Sequence, residues 1–266
     1  ATEGRYSIEV YPDAQLGNQG ETLEQCTMDA LDMTLVANPE IEKYVPDFAI
    51  LGTPYVYDSI EHQQKVFESG KLDDLFATTR DHGFVVLSAY SLGARNVYTR
   101  DKAIETPDDL KGMKIRVPNS SMYINCLTAM GATPTGMPFA ETISAVQQGV
   151  IDGLEGNMNA YSTNGSAEVC KNMSLTNHLV GTCGAYISTK VWNSIPEEYR
   201  TIIQEEFTKG AKELTDFTNA SFAETKAKLE KEQGCSFNEV DVDAFRAAVQ
   251  PEFDRMVKED GVTPDR

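Results

Sequence analysis

Long apolar runs are missing from this chain of 266 residues. A helix that crosses a bilayer needs about 20 consecutive apolar residues, and the densest apolar stretches here, residues 84–87 and 179–180, are only strand-sized. The sequence is therefore not predicted to span a membrane. With 41% hydrophobic residues, the chain still has enough apolar side chains to bury the core of one large domain or of two ordinary ones.

Cysteine and histidine are both scarce, with five and three copies. The sequence contains no C-x-x-C pair and no Cys/His cluster at zinc-ligand spacing, which excludes the usual structural metal sites. An odd number of cysteines does not fit a disulfide framework, although a single bridge between Cys170 and Cys183 stays open. The cysteines leave the redox compartment undecided.

Motifs for catalysis are also absent. His62, His82 and His178 have no nucleophile or metal partner at a recognisable spacing, and Cys170 lacks the context of a nucleophile. There is no Walker loop and no G-x-G-x-x-G motif, so nucleotide hydrolysis and dinucleotide redox chemistry are not expected. The chain is predicted to be neither an enzyme nor a cofactor protein. A small hydrolase that uses Cys170 or an acidic pair is the alternative from another functional class.

Basic residues are outnumbered by acidic ones, 23 to 41, and the formal net charge is −18. This charge repels nucleic acid and anionic lipid, and no basic stripe of the kind that phosphate backbones require is present. If the ligand is an anion, a local positive site must hold it against the field of the whole protein. Association with an anion should then become faster as salt screens that field.

The sequence begins at Ala1 without an initiator methionine or an export signal. We therefore expect that processing or truncation has removed a preceding segment.

Strand and helix patterns alternate along the chain, which predicts an α/β fold with parallel sheets. Turn residues such as Asn38-Pro39 and Gly131 separate these elements. Ser120 or Ser121 is expected to cap a helix that ends at Gly131. The predicted strands cover residues 6–10, 33–36, 84–87, 96–100, 113–117 and 150–154; the predicted helices cover residues 20–31, 61–67, 71–80 and 141–148.

One predicted helix is unusually long. It opens at Pro196, keeps a stripe of apolar residues at 3- and 4-residue spacing, and stops at Gly234 at the latest. A helix of about 38 residues is roughly 57 Å long, too long for one small sheet. Because no sustained heptad is present, we expect it to span two lobes. A last amphipathic helix through Phe245, Val249 and Phe253 closes the chain.

Arginines near strand ends are the best candidates for an anion site. Arg116 lies in the predicted strand 113–117, directly before Pro118, and ligands of open α/β sheets bind outside the carboxyl ends of strands. A guanidinium can make two parallel bonds to a carboxylate. Arg95, after Gly93 and Ala94, is a second candidate. The pattern alone slightly favours a structural salt bridge of Arg116 over a ligand contact.

Two further features border this predicted site. Phe139, after Met137-Pro138, can form an apolar wall over a ligand, although an aromatic residue beside proline also fits an ordinary core position. Residues 152–157 (DGLEGN) read as a hinge or ligand-facing loop. They lack calcium-loop spacing, so a calcium site is excluded and no metal is expected.

Residues 108–119 (DDLKGMKIRVPN) closely resemble the signature of TRAP (tripartite ATP-independent periplasmic) transporter solute-binding proteins of the DctP type. The resemblance extends to nearly the whole chain. It continues through residues 130–134 (MGATP), 137–139 (MPF), 145–155 (AVQQGVIDGLE) and 175–178 (LTNH), and upstream through 10–12 (VYP), 15–17 (QLG) and 53–55 (TPY).

The resemblance implies a two-lobed, periplasmic-binding-protein-like α/β fold with mixed, mostly parallel sheets and a long lobe-spanning helix. Lobe I is expected to comprise residues 1–92 and 182–221, and lobe II residues 93–181 and 222–266. The implied function is capture of a small organic acid by hinge closure, outside the cell membrane, for delivery to membrane permease subunits. A ligand-sensing protein that feeds a membrane receptor is the alternative within binding proteins.

The resemblance also implies the binding residues. Arg116 is the arginine that pairs with the ligand carboxylate, and Arg95 corresponds to a second basic position in the sialic-acid-binding members, in which Asn119 and Phe139 also correspond to cleft positions. Tyr55 belongs to the first-lobe turn.

Glu155 is also expected to be a ligand-binding residue. Family members normally begin with another strand and helix before the segment equivalent to residues 4–12, and these are expected to be missing here. A second departure from the family lies directly after Glu155. The family commonly has an asparagine directly after this glutamate, where this chain has Gly156. Asn157 or Asn159 is expected to replace the missing amide, and the ligand should then differ from that of the sialic-acid binders.

Overall fold

The structure, a computed structural model, describes residues 2–263. Seven strands and ten α-helices alternate along this part of the chain, as the sequence patterns predict. The strands are β1 (Met33–Ala37), β2 (Phe84–Thr99), β3 (Lys114–Val117), β4 (Thr133–Gly136), β5 (Gly153–Asn157), β6 (Asn172–Ser188) and β7 (Ser236–Asn238). The helices are α1 (Gln19–Thr27), α2 (Ile60–Glu68), α3 (Asp73–Ala77), α4 (Ser121–Ala129), α5 (Thr142–Gln147), α6 (Met158–Thr163), α7 (Ser166–Val169), α8 (Thr189–Ser194), α9 (Glu197–Gln233) and α10 (Val242–Lys258).

The strands form one mixed sheet in the order β1-β6-β2-β5-β3-β4, and β7 pairs with β6. Strands β3, β4 and β5 are parallel, whereas β1, β2 and β6 pair antiparallel. The two long strands β2 and β6 run side by side through the whole sheet and connect its two ends. The chain therefore passes from one end of the sheet to the other in β2 and returns in β6.

Strand β2 was predicted as two strands separated by a turn at Gly93, and this prediction is wrong. Gly93 has a φ of +87° and lies in an irregularity of the β2–β6 ladder, opposite Gly181. Pairing resumes on both sides, so the positive φ bends a continuous strand instead of ending it.

Two other predicted strands differ from the structure. Residues 6–10 lie outside the sheet, and their apolar side chains are largely exposed, with Val10 at 74%. Alternating polarity does not make a strand where no neighbouring strand supplies hydrogen bonds. The strand predicted at 150–154 is instead β5, which pairs with β2 as far as Asn157. Residues 153–157 are therefore strand, and the predicted loop is confined to their flanks.

The long helix α9 is confirmed. It begins directly after Pro196 and ends at Gly234, whose φ is +65°. Near one end, Phe207 packs against the core around Val85 and Leu87, and near the other end Leu229 belongs to the core around β5 and α6. In between, Thr215 Oγ1 accepts a hydrogen bond of 3.1 Å from the Ser91 backbone N–H. The helix therefore contacts both ends of the sheet.

All five cysteines are buried free thiols, so the bridge considered for Cys170 and Cys183 is not formed. In the part of the chain that the structure describes, no helix has the length and apolarity required to cross a membrane. The same residues contain no group of three or more His, Cys, Asp or Glu side chains placed to hold a metal ion.

Candidate functional site

The side chain of Arg116 is buried at the carboxyl end of β3. It is 4% exposed, and Nε and Nη2 both donate to the Met137 carbonyl oxygen, at 3.0 and 2.8 Å. The guanidinium lies 5.4 Å from the ring centroid of Phe139, which is itself 40% exposed. Within residues 2–263, no carboxylate lies within ion-pair distance of this guanidinium. Burial lowers the pKa of Arg116, while the charge of Glu155 opposes that effect.

Arg95 is committed to a buried ion pair. Its Nε and Nη2 donate to the two carboxylate oxygens of Glu155 at 2.6 and 2.5 Å, and the guanidinium lies 4.8 Å from the ring centroid of Tyr123. His178 Nε2 is 3.4 Å from the same carboxylate. Burial raises the pKa of Glu155, but the charge of Arg95 and the contact with His178 outweigh it and lower that pKa to about 2. The pair brings two predicted site residues together as a neutral unit.

Of the predicted asparagines, only Asn157 lies next to this pair. Asn157 faces Arg95 across the β2–β5 ladder, and its Oδ1 caps α6 by accepting from the Ala160 N–H at 2.8 Å. Asn119 and Asn159 are exposed. This cap uses Oδ1 of Asn157 and leaves its Nδ2 without a hydrogen bond to the described residues, so replacement of the amide at position 156 by Asn157 stays a prediction.

Tyr55 joins the segment after the 3-10 helix Pro46–Gly52 to strand β6. Its φ is +54°, its backbone N–H donates to the His178 carbonyl at 2.9 Å, and its hydroxyl donates to the Thr176 carbonyl at 3.0 Å. Both polar groups are therefore occupied by β6. The Tyr55 ring packs against the core that includes Tyr123 and Leu127, and the guanidinium of Arg246 lies 5.4 Å from its centroid.

Sequence reasoning missed two polar residues that come from the 3-10 helix Asn38–Lys43, directly after β1. Glu40 is 8% exposed and has no hydrogen-bond partner among the described residues, and burial raises its pKa to about 7 while Lys43 and Arg116 act in the opposite direction. Asn38 is fully buried, accepts from the Tyr186 hydroxyl at 2.6 Å, and leaves its Nδ2 unpaired. The sequence signal that could have indicated these two residues is the Asn38-Pro39 break, which places polar side chains at the carboxyl end of a strand.

The proposed nucleophile of the hydrolase alternative does not fit that role. Cys170 is fully buried, and burial raises the pKa of its thiol to about 12. A reactive cysteine requires a lowered pKa and access to substrate.

Comparison with known proteins connects this geometry to one family. A family model described as "Bacterial extracellular solute-binding protein, family 7" matches residues 1–260. A TRAP periplasmic solute-binding protein from Desulfovibrio salexigens, in complex with diglycerolphosphate, is 43% identical with a TM-score of 0.92, covering 99% of this chain and 84% of that chain.

Two further solved structures have the same fold. A TRAP periplasmic solute-binding protein from Fusobacterium nucleatum with bound sn-glycerol-3-phosphate is 37% identical, with a TM-score of 0.92 and coverage of 98% and 84% of the two chains. A third, from Chromohalobacter salexigens with bound D-glucuronate, is 32% identical, with a TM-score of 0.92 and coverage of 97% and 86%.

Proposed function

The chain belongs to family 7 of the bacterial extracellular solute-binding proteins, and from this membership we propose that it captures one small organic anion for a TRAP transporter. It is a binding protein and not an enzyme. The anion is held outside the cell membrane and passed unaltered to membrane permease subunits. The observation that carries the proposal is the buried guanidinium of Arg116, which has no carboxylate partner within residues 2–263.

The ligand class follows from what this guanidinium can bind. Two of its N–H groups are held by the Met137 carbonyl, and Nη1 has no hydrogen bond to the described residues, so it can donate to an oxyanion. A carboxylate on a hydroxylated carbon chain, as in the D-glucuronate of the Chromohalobacter protein, is our first candidate. The second candidate is a phosphorylated glycerol. Ligands of this kind are bound by the Desulfovibrio and Fusobacterium proteins, whose sequence identity to this chain is higher than that of the Chromohalobacter protein.

Capture by hinge closure is supported by the two long strands. We propose that residues 1–92 and 182–221 form one lobe and that residues 93–181 and 222–266 form the other. Gly93 and Gly181 face each other across β2 and β6, at the boundary between these lobes. Paired glycines in both crossing strands allow the backbone rotations that a hinge needs, and closure would exclude water from the bonds to Arg116.

A thermal-shift panel tests the proposed function. D-Glucuronate, D-galacturonate, sn-glycerol 3-phosphate and diglycerol phosphate are each added to the purified protein. We expect one of the two anion classes to raise the melting temperature, because a ligand that binds only the native state stabilises it by mass action. Calorimetry with that anion should then show that Arg116→Ala weakens binding by about 2–5 kcal/mol.

The matched control is Arg100→Ala. Arg100 is a half-buried arginine that pairs with the exposed Asp101 and donates to the Val146 carbonyl at 3.2 Å, so its removal should leave the affinity unchanged. Equal affinity of Arg116→Ala and wild type would contradict the proposed site. Absence of any shift with all four anions would contradict the proposed ligand class.

A further inference from the structure

Gly156 leaves a space in strand β5 that the hydroxyl of Tyr98 fills. A Cβ atom at Gly156 would lie 2.3 Å from Tyr98 Oη and 3.3 Å from Tyr98 Cζ. The φ of Gly156 is not in the left-handed region, so its backbone conformation is open to other residues. The glycine is therefore required by the position of the phenol and not by the conformation of the strand.

The Tyr98 hydroxyl is buried without a hydrogen-bond partner in residues 2–263. Its neighbour Tyr161 provides a direct comparison, because the two rings are 4.8 Å apart and Tyr161 donates to the Cys170 carbonyl at 2.7 Å. A buried hydroxyl that lacks a partner destabilises a fold, because it gives up its hydrogen bonds to water without replacement. Such a group in a binding protein is explained if the bound ligand supplies the partner.

Tyr98 lies on the same face of the sheet as Arg116. Leu154 of β5 pairs with Tyr98 on one side and with Arg116 on the other, which places the three side chains in one row across β2, β5 and β3. Gly156 is two residues further along β5, on the same face and toward its carboxyl end. Burial dominates and raises the pKa of the Tyr98 phenol, the charge of Glu155 acts in the same direction, and the charges of Arg95 and Arg116 oppose both.

We infer that the Tyr98 hydroxyl is a specificity-determining ligand donor, and that the absence of a side chain at Gly156 is what allows it to reach the ligand. The anionic group would lie next to the Tyr98 hydroxyl, which itself occupies the space over Gly156, and would accept one hydrogen bond from Tyr98 and another from Arg116. This inference rests on the proposed function. It assigns to Tyr98 the polar contact that the sequence led us to expect from Asn157 or Asn159.

The test compares Tyr98→Phe with Tyr161→Phe. Dissociation constants are measured by calorimetry for the same four anions, together with the melting temperature of the unliganded protein. We expect Tyr98→Phe to weaken binding of the anion that wild type prefers by about 10- to 100-fold, because a hydrogen bond to a charged group is lost. Its unliganded melting temperature should be equal to or higher than that of wild type, since no internal bond is removed.

Tyr161→Phe is expected to behave in the opposite way. It loses the bond to the Cys170 carbonyl, so its melting temperature should fall while its dissociation constant stays within about twofold of wild type. A purely structural role for Tyr98 would give this same pattern for Tyr98→Phe and would overturn the inference.

Gly156→Ala supplies an independent readout. The added methyl group displaces the Tyr98 hydroxyl, so we expect weaker binding in the single variant and little further loss when it is combined with Tyr98→Phe. Additive losses would contradict the inference. If wild type and Tyr98→Phe bind an anion equally well, this inference is contradicted and the proposed function is not. Wild type that binds none of the four anions contradicts the proposed function and this inference with it.

Discussion

Two buried carboxyl groups near the candidate site have opposite electrostatic surroundings. Glu155 is held between Arg95 and His178, and its pKa is lowered to about 2. Glu40 has no hydrogen-bond partner among the described residues, and its pKa is raised to about 7 from an ordinary value of 4.5. The stabilisation from Glu155 is present above pH 4.5 and is lost as the pH falls toward 2, whereas the effect of Glu40 has the opposite sign.

The pH dependence of stability should reveal Glu40. In the folded protein the Glu40 carboxyl keeps its proton up to about pH 7, whereas in the unfolded chain it releases the proton near pH 4.5. The free energy of unfolding therefore falls as the pH rises from 4.5 to about 7. We expect Glu40→Gln to be about 1–3 kcal/mol more stable than wild type at pH 8 and equally stable at pH 4, as measured by urea unfolding. The groups that interact electrostatically with this carboxyl are unchanged in the variant; they are Lys43, Glu42, Arg116 and Tyr123.

Glu239→Gln, which alters an exposed carboxyl, is the control and should follow the wild-type curve at each pH. Parallel curves for Glu40→Gln and wild type from pH 4 to pH 8 would show that Glu40 titrates normally in the folded protein.

Elements with local signals were predicted well, and elements defined by distant partners were not. The bounds of α9 follow from Pro196 and Gly234, which act within the segment itself. The continuity of β2 through Gly93 depends on its pairing with β6, which lies far away in sequence. The same distinction holds in the site. Arg116 could be proposed from the sequence because proline follows its strand, whereas Tyr98 could not, because only its packing against Gly156 shows where its hydroxyl lies.

Helix α4 illustrates a cap supplied by a distant element. Its N-cap residue, Ser120, makes no side-chain bond to the helix, although capping by Ser120 or Ser121 was predicted. Glu42 accepts from the backbone N–H groups of Ser121 and Met122 instead, at 2.5 and 3.3 Å. A carboxylate at this position satisfies free N–H groups and interacts favourably with the helix dipole. Local sequence could not indicate a cap from a segment so far upstream.

Removal of this cap should be measurable. We expect Glu42→Ala to lower the free energy of unfolding by about 1–2 kcal/mol, because the first turn of α4 loses its acceptor. Urea denaturation measures this change, with Glu230→Ala on the exposed side of α9 as a control that should alter stability little. A Glu42→Ala variant as stable as wild type would mean that water replaces the carboxylate without cost.

At the scale of the whole molecule, one sheet and one helix connect the two proposed lobes. Strands β2 and β6 carry the chain between them, and α9 packs on both ends of the sheet. Glu42 lies in the first proposed lobe and α4 in the second, so its cap joins them at the site. To separate the proposed lobes, both strands would have to bend at Gly93 and Gly181, and the bonds from Glu42 to the first turn of α4 would have to break. Ligand capture would then depend on a small number of backbone positions.

The net charge of −18 should slow the arrival of an anion, even though the site itself holds Arg116. Raising the ionic strength from 0.01 to 0.15 M shortens the Debye length from about 30 to about 8 Å, which screens the distant carboxylates more than contacts inside the closed site. We expect the association rate of the anion selected by the thermal-shift panel to rise roughly two- to tenfold over this range in stopped-flow measurements.

The origin of this salt effect can be tested on α9. Glu205, Glu213 and Glu224 are exposed on this helix, and replacing all three by glutamine removes three negative charges without touching the site. The triple variant should bind the anion faster at low salt and show a shallower dependence on ionic strength, with an unchanged dissociation rate. An association rate that falls with added salt would instead mean that a positive field around Arg116 extends into solvent and dominates the approach of the ligand.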